Sequence, residues 1–396
     1  MPHVPVVLLV VALLGAAYVF ARIAAHAGVP PAVAVTLVGI AGGGMLPATH
    51  EIHFGPVLLG VFLPALIFES AWDMDAAALR RVARIVFVLA VPGTLLTMLA
   101  VALATGGWGA LGWGAALTLG AILGATDPIA VLALFRNLNL PADLLAIVEG
   151  ESIGNDAVAL VLVQLIVPFA FGAFAGSDVA LAIAKFFYMA LAGIGSGIVL
   201  AYAATALVKA RSPVALILAV TVVLAYGSYA AASAVGASGI LAVAAAGITL
   251  RSRLRVPDET GTLVERFWDL AALLANSIVF LLVGFTLDLE RMFHEPLLFV
   301  AALAGASLAR IVLAYGLVRF PPASGRTGWR QAIGLAGLRG GLSVAMALGL
   351  PQNFPQRAEV IDSVFAVVFV TLVIQGWAIA PILRRALPSR SAALTR

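Results

Sequence analysis

Thirteen stretches of the chain, set off by turn-forming residues and charges, are apolar over a length that crosses or nearly crosses a bilayer. They run approximately over 4–25, 31–47, 54–71, 84–105, 112–135, 144–173, 179–208, 213–234, 238–250, 264–287, 296–318, 329–350 and 362–387. A run of about twenty apolar residues satisfies its own backbone in hydrocarbon by becoming a helix, so the repetition leaves few folds open. Composition points the same way. The chain is 63% hydrophobic and 11% charged, where soluble domains are about half apolar and about a quarter charged. No soluble core buries that excess, and the expectation is an all-α polytopic membrane protein of about thirteen transmembrane helices. The count depends on the short ninth span. The first stretch reads as a retained helix rather than a cleaved signal, because "MPHVP" lacks Lys and Arg and the following run is long enough to span. With no cysteine, disulfides and thiolate metal sites are excluded.

Loop charge sets the orientation. If the N-terminus faces outside, the inside loops carry Arg22; Arg80, Arg81 and Arg84; Arg136; Lys209 and Arg211; Arg251, Arg253, Arg255 and Arg266; Arg319, Arg326 and Arg330; and the tail arginines Arg384, Arg385, Arg390 and Arg396. The outside loops then hold only Arg291 and Arg357. This asymmetry is the positive-inside pattern, with the C-terminus cytoplasmic and the cell membrane as location. Spread over short loops, the net charge of +4 does not suggest a nucleic-acid partner. An odd count allows six spans, one connecting span and six more, which places the halves in opposite orientations, a plan common in secondary transporters.

Five sites put ionisable residues well inside spans: Glu69, Asp127, the cluster Glu151–Asp156, Arg310 and Arg339. A charge at mid-depth costs about 3 kcal/mol or more, and it pairs or lines a cavity. Lys185, Arg84 and Arg266, by contrast, read as snorkelling residues at span ends. In "GATDPIAV" (124–131) Pro128 cannot donate its amide and clashes with the preceding turn, so the fifth span is expected to open near Gly124 to Asp127. Exposed backbone at that depth is tolerated where it faces protein or a wet cavity, and its freed carbonyls can coordinate a cation. "GLAGLRGGLSVA" places Gly334, Gly337, Gly340 and Gly341 around Arg339 in the twelfth span, the position equivalent to the fifth in a six-one-six plan. In the sixth span Ser152 and Asp156 share one helix face, and Glu151 and Asn155 the next. The first face suits a small hard cation; the second offers a carboxylate to neutralise Arg339. A carboxylate that alternately holds a proton or a metal ion is a complete coupling device.

"FLPALIFESAWDMD", "GATDPIAV", "EGESIGNDAVAL" and "GLAGLRGGLSVAMAL", in this order and on these spans, resemble the NhaP-like Na+/H+ antiporters of the monovalent cation:proton antiporter family, relatives of the animal sodium/proton exchangers. The resemblance covers essentially the whole membrane domain. It implies a single exchanger domain of inverted six-helix repeats with two broken crossing helices. A mobile core at about 84–173 and 296–387 would move against a dimerisation scaffold at about 1–71 and 213–287, joined by a connecting helix at about 179–208, in an elevator-like motion of a homodimer. It implies that Asp156 exchanges H+ for the metal ion, with the Thr126 carbonyl, Ser152 and Glu69 as companion ligands. Asp127 and Asn155 would act through water or hydrogen bonds, and Glu151–Arg339 and Asp127–Arg310 would be ion pairs. An Asn-Asp pair implies electroneutral one-for-one exchange, no cofactor beyond the transported Na+ and H+, and a role in pH and sodium homeostasis. K+/H+ exchange and sodium-coupled symport are the alternatives. Gly154 stands where many relatives carry a bulkier residue, and is expected to loosen the helix beside the site. No sizeable cytoplasmic domain is expected after Leu387.

Other features carry less. "HEIH" (50–53) and "HEP" (294–296) lack a third convincing ligand for a metal. "AGGGM" (41–45) lacks the Lys-Ser/Thr of a phosphate loop. Gly193 and Gly197 are spaced for helix packing. An intramembrane aspartyl protease would pair Asp127 with Asp156, which the nearby arginines disfavour, and a channel would conduct without proton exchange.

Overall fold

A computed structural model of the chain describes residues 15, 18–19, 31–43, 58–127, 141–172, 178–209, 212–254, 258–286, 295–317, 326–375 and 382. Thirteen α-helices and no strand occur among the described residues. They are α1 (Pro31–Gly43), α2 (Leu63–Asp73), α3 (Ala76–Gly106), α4 (Trp113–Ile122), α5 (Ala142–Ala170), α6 (Asp178–Leu207), α7 (Val214–Ala234), α8 (Gly239–Arg253), α9 (Asp258–Thr286), α10 (Pro296–Val312), α11 (Arg326–Leu335), α12 (Gly341–Leu348) and α13 (Arg357–Val370). Each predicted span from the second to the thirteenth overlaps at least one of them. The twelfth overlaps two, α11 and α12, separated by non-helical backbone. The short ninth span is a helix in its own right, α8, begun by the Ser238 hydroxyl, which accepts from the Leu241 amide at 3.4 Å. The first span lies outside the described residues except for helical Gly15, Tyr18 and Val19. Pro128, "HEIH", His294, and most of the loop and tail arginines used for orientation also lie outside them.

Five helices are by themselves long and apolar enough to cross a membrane: Ala76–Gly106, Ala142–Ala170, Ala180–Leu207, Val214–Ala234 and Pro296–Gly316. The fifth and twelfth spans reach across in broken pieces, so neither holds a single helix of that length.

The long helix α3 packs on α4, α5 and α10, and α4 also on α5. A second set joins α1 to α9, α2 to α8 and α9, and α8 to α6 and α7. Asp75 begins α3 by accepting from the Ala77 and Ala78 amides at 2.8 and 3.1 Å. Arg81 on α3 reaches Asp143 in the first turn of α5 at 2.7 Å, at an exposed end of the pair.

Small residues let the helices approach closely. A Cβ on Gly193 would stand 2.5 Å from the Ser238 carbonyl oxygen, and one on Gly197 only 2.1 Å from that of Ala242, so α6 and α8 cross backbone to backbone. The packing role read from their spacing is what the structure has. Gly197→Val is expected to cost about 1–3 kcal/mol by overpacking, seen as a lower melting temperature of the purified protein; an unchanged melting curve would remove this contact from the packing. Gly154 is a correction. Helix α5 runs through it unbroken, and a Cβ there would meet the Ala90 side chain at 2.6 Å. The residue admits α3 rather than loosening the site.

Candidate cation site at the crossing of two broken helices

Helix α4 stops at Ile122, and the chain is non-helical over 125–127. Helix α11 stops at Leu335, and the chain is non-helical again over 337–340 before α12 begins. A broken helix leaves backbone groups unpaired at membrane depth, so partners must come from elsewhere. Here the two breaks serve each other. The Asp127 amide donates to the Leu338 carbonyl at 2.7 Å. The Ser343 hydroxyl donates to the carbonyl of Ile122 at 3.0 Å. Arg339 donates through Nε to the Leu123 carbonyl at 2.8 Å, and through a second nitrogen to Gly337. A fixed positive charge thus sits against carbonyls at the ends of α4 and α11, where helix dipoles present partial negative charge. Gly340 completes the fit, since a Cβ there would lie 2.2 Å from the Asp127 Cβ.

Helix α5 passes beside this crossing with its polar run. Ser152 donates to the Thr126 carbonyl at 2.7 Å, which keeps the lone pairs of its hydroxyl available. Asn155 accepts from the Thr126 amide at 3.3 Å and donates to the Thr126 hydroxyl and to Glu151 at 2.7 Å each. The unwound residue Thr126 is therefore held on three sides by α5. Glu151 is in turn fixed by Arg310, whose two terminal nitrogens reach its two oxygens at 2.7 and 2.9 Å while Nε donates to the Ile333 carbonyl at 2.9 Å. Glu151 is 2% exposed and Arg310 6%.

This corrects the expected pairing. Glu151 pairs with Arg310 and not with Arg339, whose charge serves the carbonyls at the crossing. All three guanidinium nitrogens of Arg310 are engaged by Glu151 and Ile333, so Asp127–Arg310 is not the pair formed. The sequence places both arginines inside spans but cannot tell which one faces α5.

Beside the crossing is a small, partly open cavity of about 50 Å³. Its polar lining comes from Glu69 and Ser70 on α2, Thr126 and Asp127 at the first break, Ser152 and Asp156 on α5, Asn276 on α9 and Ser343 on α12. Asp156 Oδ1 is buried and has no hydrogen-bond partner among the described residues. Ser70 donates to Glu69 at 3.1 Å. Oxygen atoms of carboxylate, hydroxyl and carbonyl converge with no nitrogen base or thiolate, a donor set for a hard cation.

A family model described as "Sodium/hydrogen exchanger, transmembrane" matches residues 9–385. The chain belongs to the sodium/hydrogen exchanger family. Among relatives of this chain, the low-affinity Na+/H+ antiporter NhaS1 of Synechocystis is 32% identical over 82% of this chain and 64% of its own. ApNhaP of Aphanothece halophytica, a Na+/H+ antiporter, is 33% identical over 81% and 63%. NhaP of Pseudomonas aeruginosa, another Na+/H+ antiporter, is 32% identical over 85% and 82%. The match thus spans a little under two thirds of the length of the first two. The fold is that of the sodium proton antiporter MjNhaP1 from Methanocaldococcus jannaschii, with a TM-score of 0.78 at 21% identity over 95% of this chain and 98% of that one. These relatives are transporters, not enzymes.

The cavity thus brings together Glu69, Thr126, Asp127, Ser152 and Asp156. Asn155, Glu151, Arg310 and Arg339 stand behind it as its supports. Three lining residues escaped the sequence reading: Ser70, Ser343 and Asn276. The last had a legible signal, a lone amide in the apolar run "AALLANSIVF".

Proposed function

We propose that the chain is a secondary antiporter that exchanges Na+ for H+ across the cell membrane, with Asp156 holding either the metal ion or the proton. The observation that carries this reading is the buried, unbonded Oδ1 of Asp156 in a cavity of hard oxygens. A carboxylate oxygen with no internal partner needs an external one, and both a proton and a small cation supply it. The activities of these three relatives, all Na+/H+ antiporters, support the same reading. Glu69, Ser152 and the Thr126 carbonyl complete the cation's shell. Asp127 acts through water, and Asn155 acts by holding Thr126 in place.

With one exchangeable carboxylate, each half-cycle carries one positive charge, so the exchange is electroneutral. Access alternates as a core around α3, α4, α5 and α10 moves against a scaffold around α1, α2, α7, α8 and α9. The two sets of helix contacts support that division, and the scaffold forms the homodimer. The N-terminus lies outside, the C-terminus in the cytoplasm, and the role is in pH and sodium homeostasis.

The test is proton flux in proteoliposomes containing a pH dye, with Na+, K+ and Li+ supplied separately and the voltage clamped or free. We expect Na+-driven proton flux that is indifferent to voltage. Flux driven by K+ alone would make this a K+/H+ antiporter, and cation conduction without proton movement would make it a channel. The rate should also fall at both pH extremes, because protons hold Asp156 at low pH and too few return at high pH. A rate that rises monotonically across the range would contradict a shared site.

A further inference from the structure

We infer that Asn276 is a direct, neutral oxygen ligand of the transported cation and sets its apparent affinity and ion preference. The inference rests on the exchange reading above and adds a ligand that neither motif nor spacing supplied. Asn276 lies on α9, partly buried, and lines the same cavity as Asp156, Glu69, Ser152 and Thr126. Among the described residues its amide takes part in no hydrogen bond. An amide placed in an apolar helix of a membrane protein is costly unless something pairs with it.

Its placement is fixed by packing. Three residues on, Val279 presses on Gly341 at the start of α12, where a Cβ would stand 2.5 Å from Val279 Cγ1. Positions three apart share a helix face, so Asn276 is held at the crossing of the broken helices. The cation would then be bound from both sides. Asp156, Ser152 and Thr126 come from α5 and the first break, and Glu69 and Asn276 come from α2 and α9, which pack on each other. The α2 and α9 side already supplies one carboxylate. A second one there would add a charge to the site, whereas an amide adds an oxygen without altering the charge carried per cycle. A neutral oxygen on a rigid helix fixes the size of the shell, and the dehydration cost of the ion against that size decides between Li+, Na+ and K+.

The experiment measures cation-driven proton flux for wild type, Asn276→Leu, Asn276→Ala and Asn276→Gln in proteoliposomes, with melting curves to establish folding. Removing the amide in the Leu or Ala variant should raise the apparent KM for Na+ by roughly tenfold, the effect of losing one contact to a charged group. The rate at saturating Na+ should stay near wild type, the ratio of Li+ to Na+ affinity should change, and Asn276→Gln should recover part of the loss. The two truncations differ in bulk, so a packing defect confined to the Leu variant is identified by the Ala variant. An unchanged KM for both ions in a folded truncation overturns the inference, as does a fall in rate with KM unaltered. Absence of Na+-driven flux in wild type overturns the exchange reading itself, whereas wild-type exchange with indifferent variants overturns only the role of Asn276.

Discussion

Asp156→Asn should abolish Na+-driven proton flux while the protein inserts, folds and melts at or above the wild-type temperature. The two halves of that expectation have separate causes. Function is lost because an amide neither takes up a proton in the working range nor supplies the negative charge that offsets dehydration of the cation. Stability is kept because the buried Oδ1 has no partner to strand. Asp156 Oδ1 makes no hydrogen bond among the described residues, so exchanging carboxylate for an isosteric amide breaks no bond to that atom and removes a charge from a buried place. The stability cost of placing charge there is borne by the native protein for the sake of function, as is usual for ionisable groups inside membranes. The measurement is a dye assay across pH 5 to 9 on reconstituted variant and wild type, beside thermal melts of both. Residual exchange at more than about a tenth of the wild-type rate would take the coupling role away from Asp156, because a rate lost by less than tenfold corresponds to less than about 1.4 kcal/mol. A collapsed melting curve would instead make the residue structural.

Hydrophobic length made most of the fold legible. Spans two to thirteen each coincide with a described helix because apolar residues in sufficient number have no other stable place, and that is a property of segments. The break in the fifth span was legible too, since a proline's effect on the turn before it is local: α4 ends at Ile122, and residues 125–127 are non-helical as expected. The same holds for the face carrying Ser152 and Asp156, because helical periodicity alone puts residues four apart side by side. What did not come through was relational. Spacing shows that Glu151 lies on the face adjacent to that of Ser152, but whether it meets Arg310 or Arg339 depends on how α10 and the α11–α12 break are set against α5. Of the glycines around Arg339, Gly337 does leave room for guanidinium groups, since a Cβ there would meet Arg310 Nε at 2.9 Å, while Gly340 and Gly341 give way to the side chains of Asp127 and Val279. Arg339 itself is held by backbone carbonyls rather than by an acid. Gly154 failed for the same reason, as its small size answers to Ala90 on another helix.

The corrected pair predicts a large loss of stability when it is cut on one side. In Glu151→Gln the side chain keeps its shape, but Arg310, 6% exposed, is left without its counter-charge. Breaking a buried pair by removing one partner costs about 3–5 kcal/mol, because the remaining charge is neither solvated nor neutralised. The damage should not stop there. Glu151 also accepts from Asn155 at 2.7 Å and from the Thr126 hydroxyl at 3.4 Å, so the unwound residue whose carbonyl is proposed as a cation ligand loses part of its support. Melting temperature should therefore fall and the KM for Na+ should rise together. Replacing both partners, Glu151→Leu with Arg310→Met, should restore much of the melting temperature, since no charge is then stranded, while the cation affinity stays poor. A double-mutant cycle distinguishes the partners. Strong coupling is expected between Glu151 and Arg310, and little between Glu151 and Arg339, whose removal instead exposes the carbonyls of Leu123 and Gly337. Coupling found with Arg339 and absent with Arg310 would return the pairing to the one that spacing suggested, and would mean that the support of Thr126 is built from the other side of the crossing.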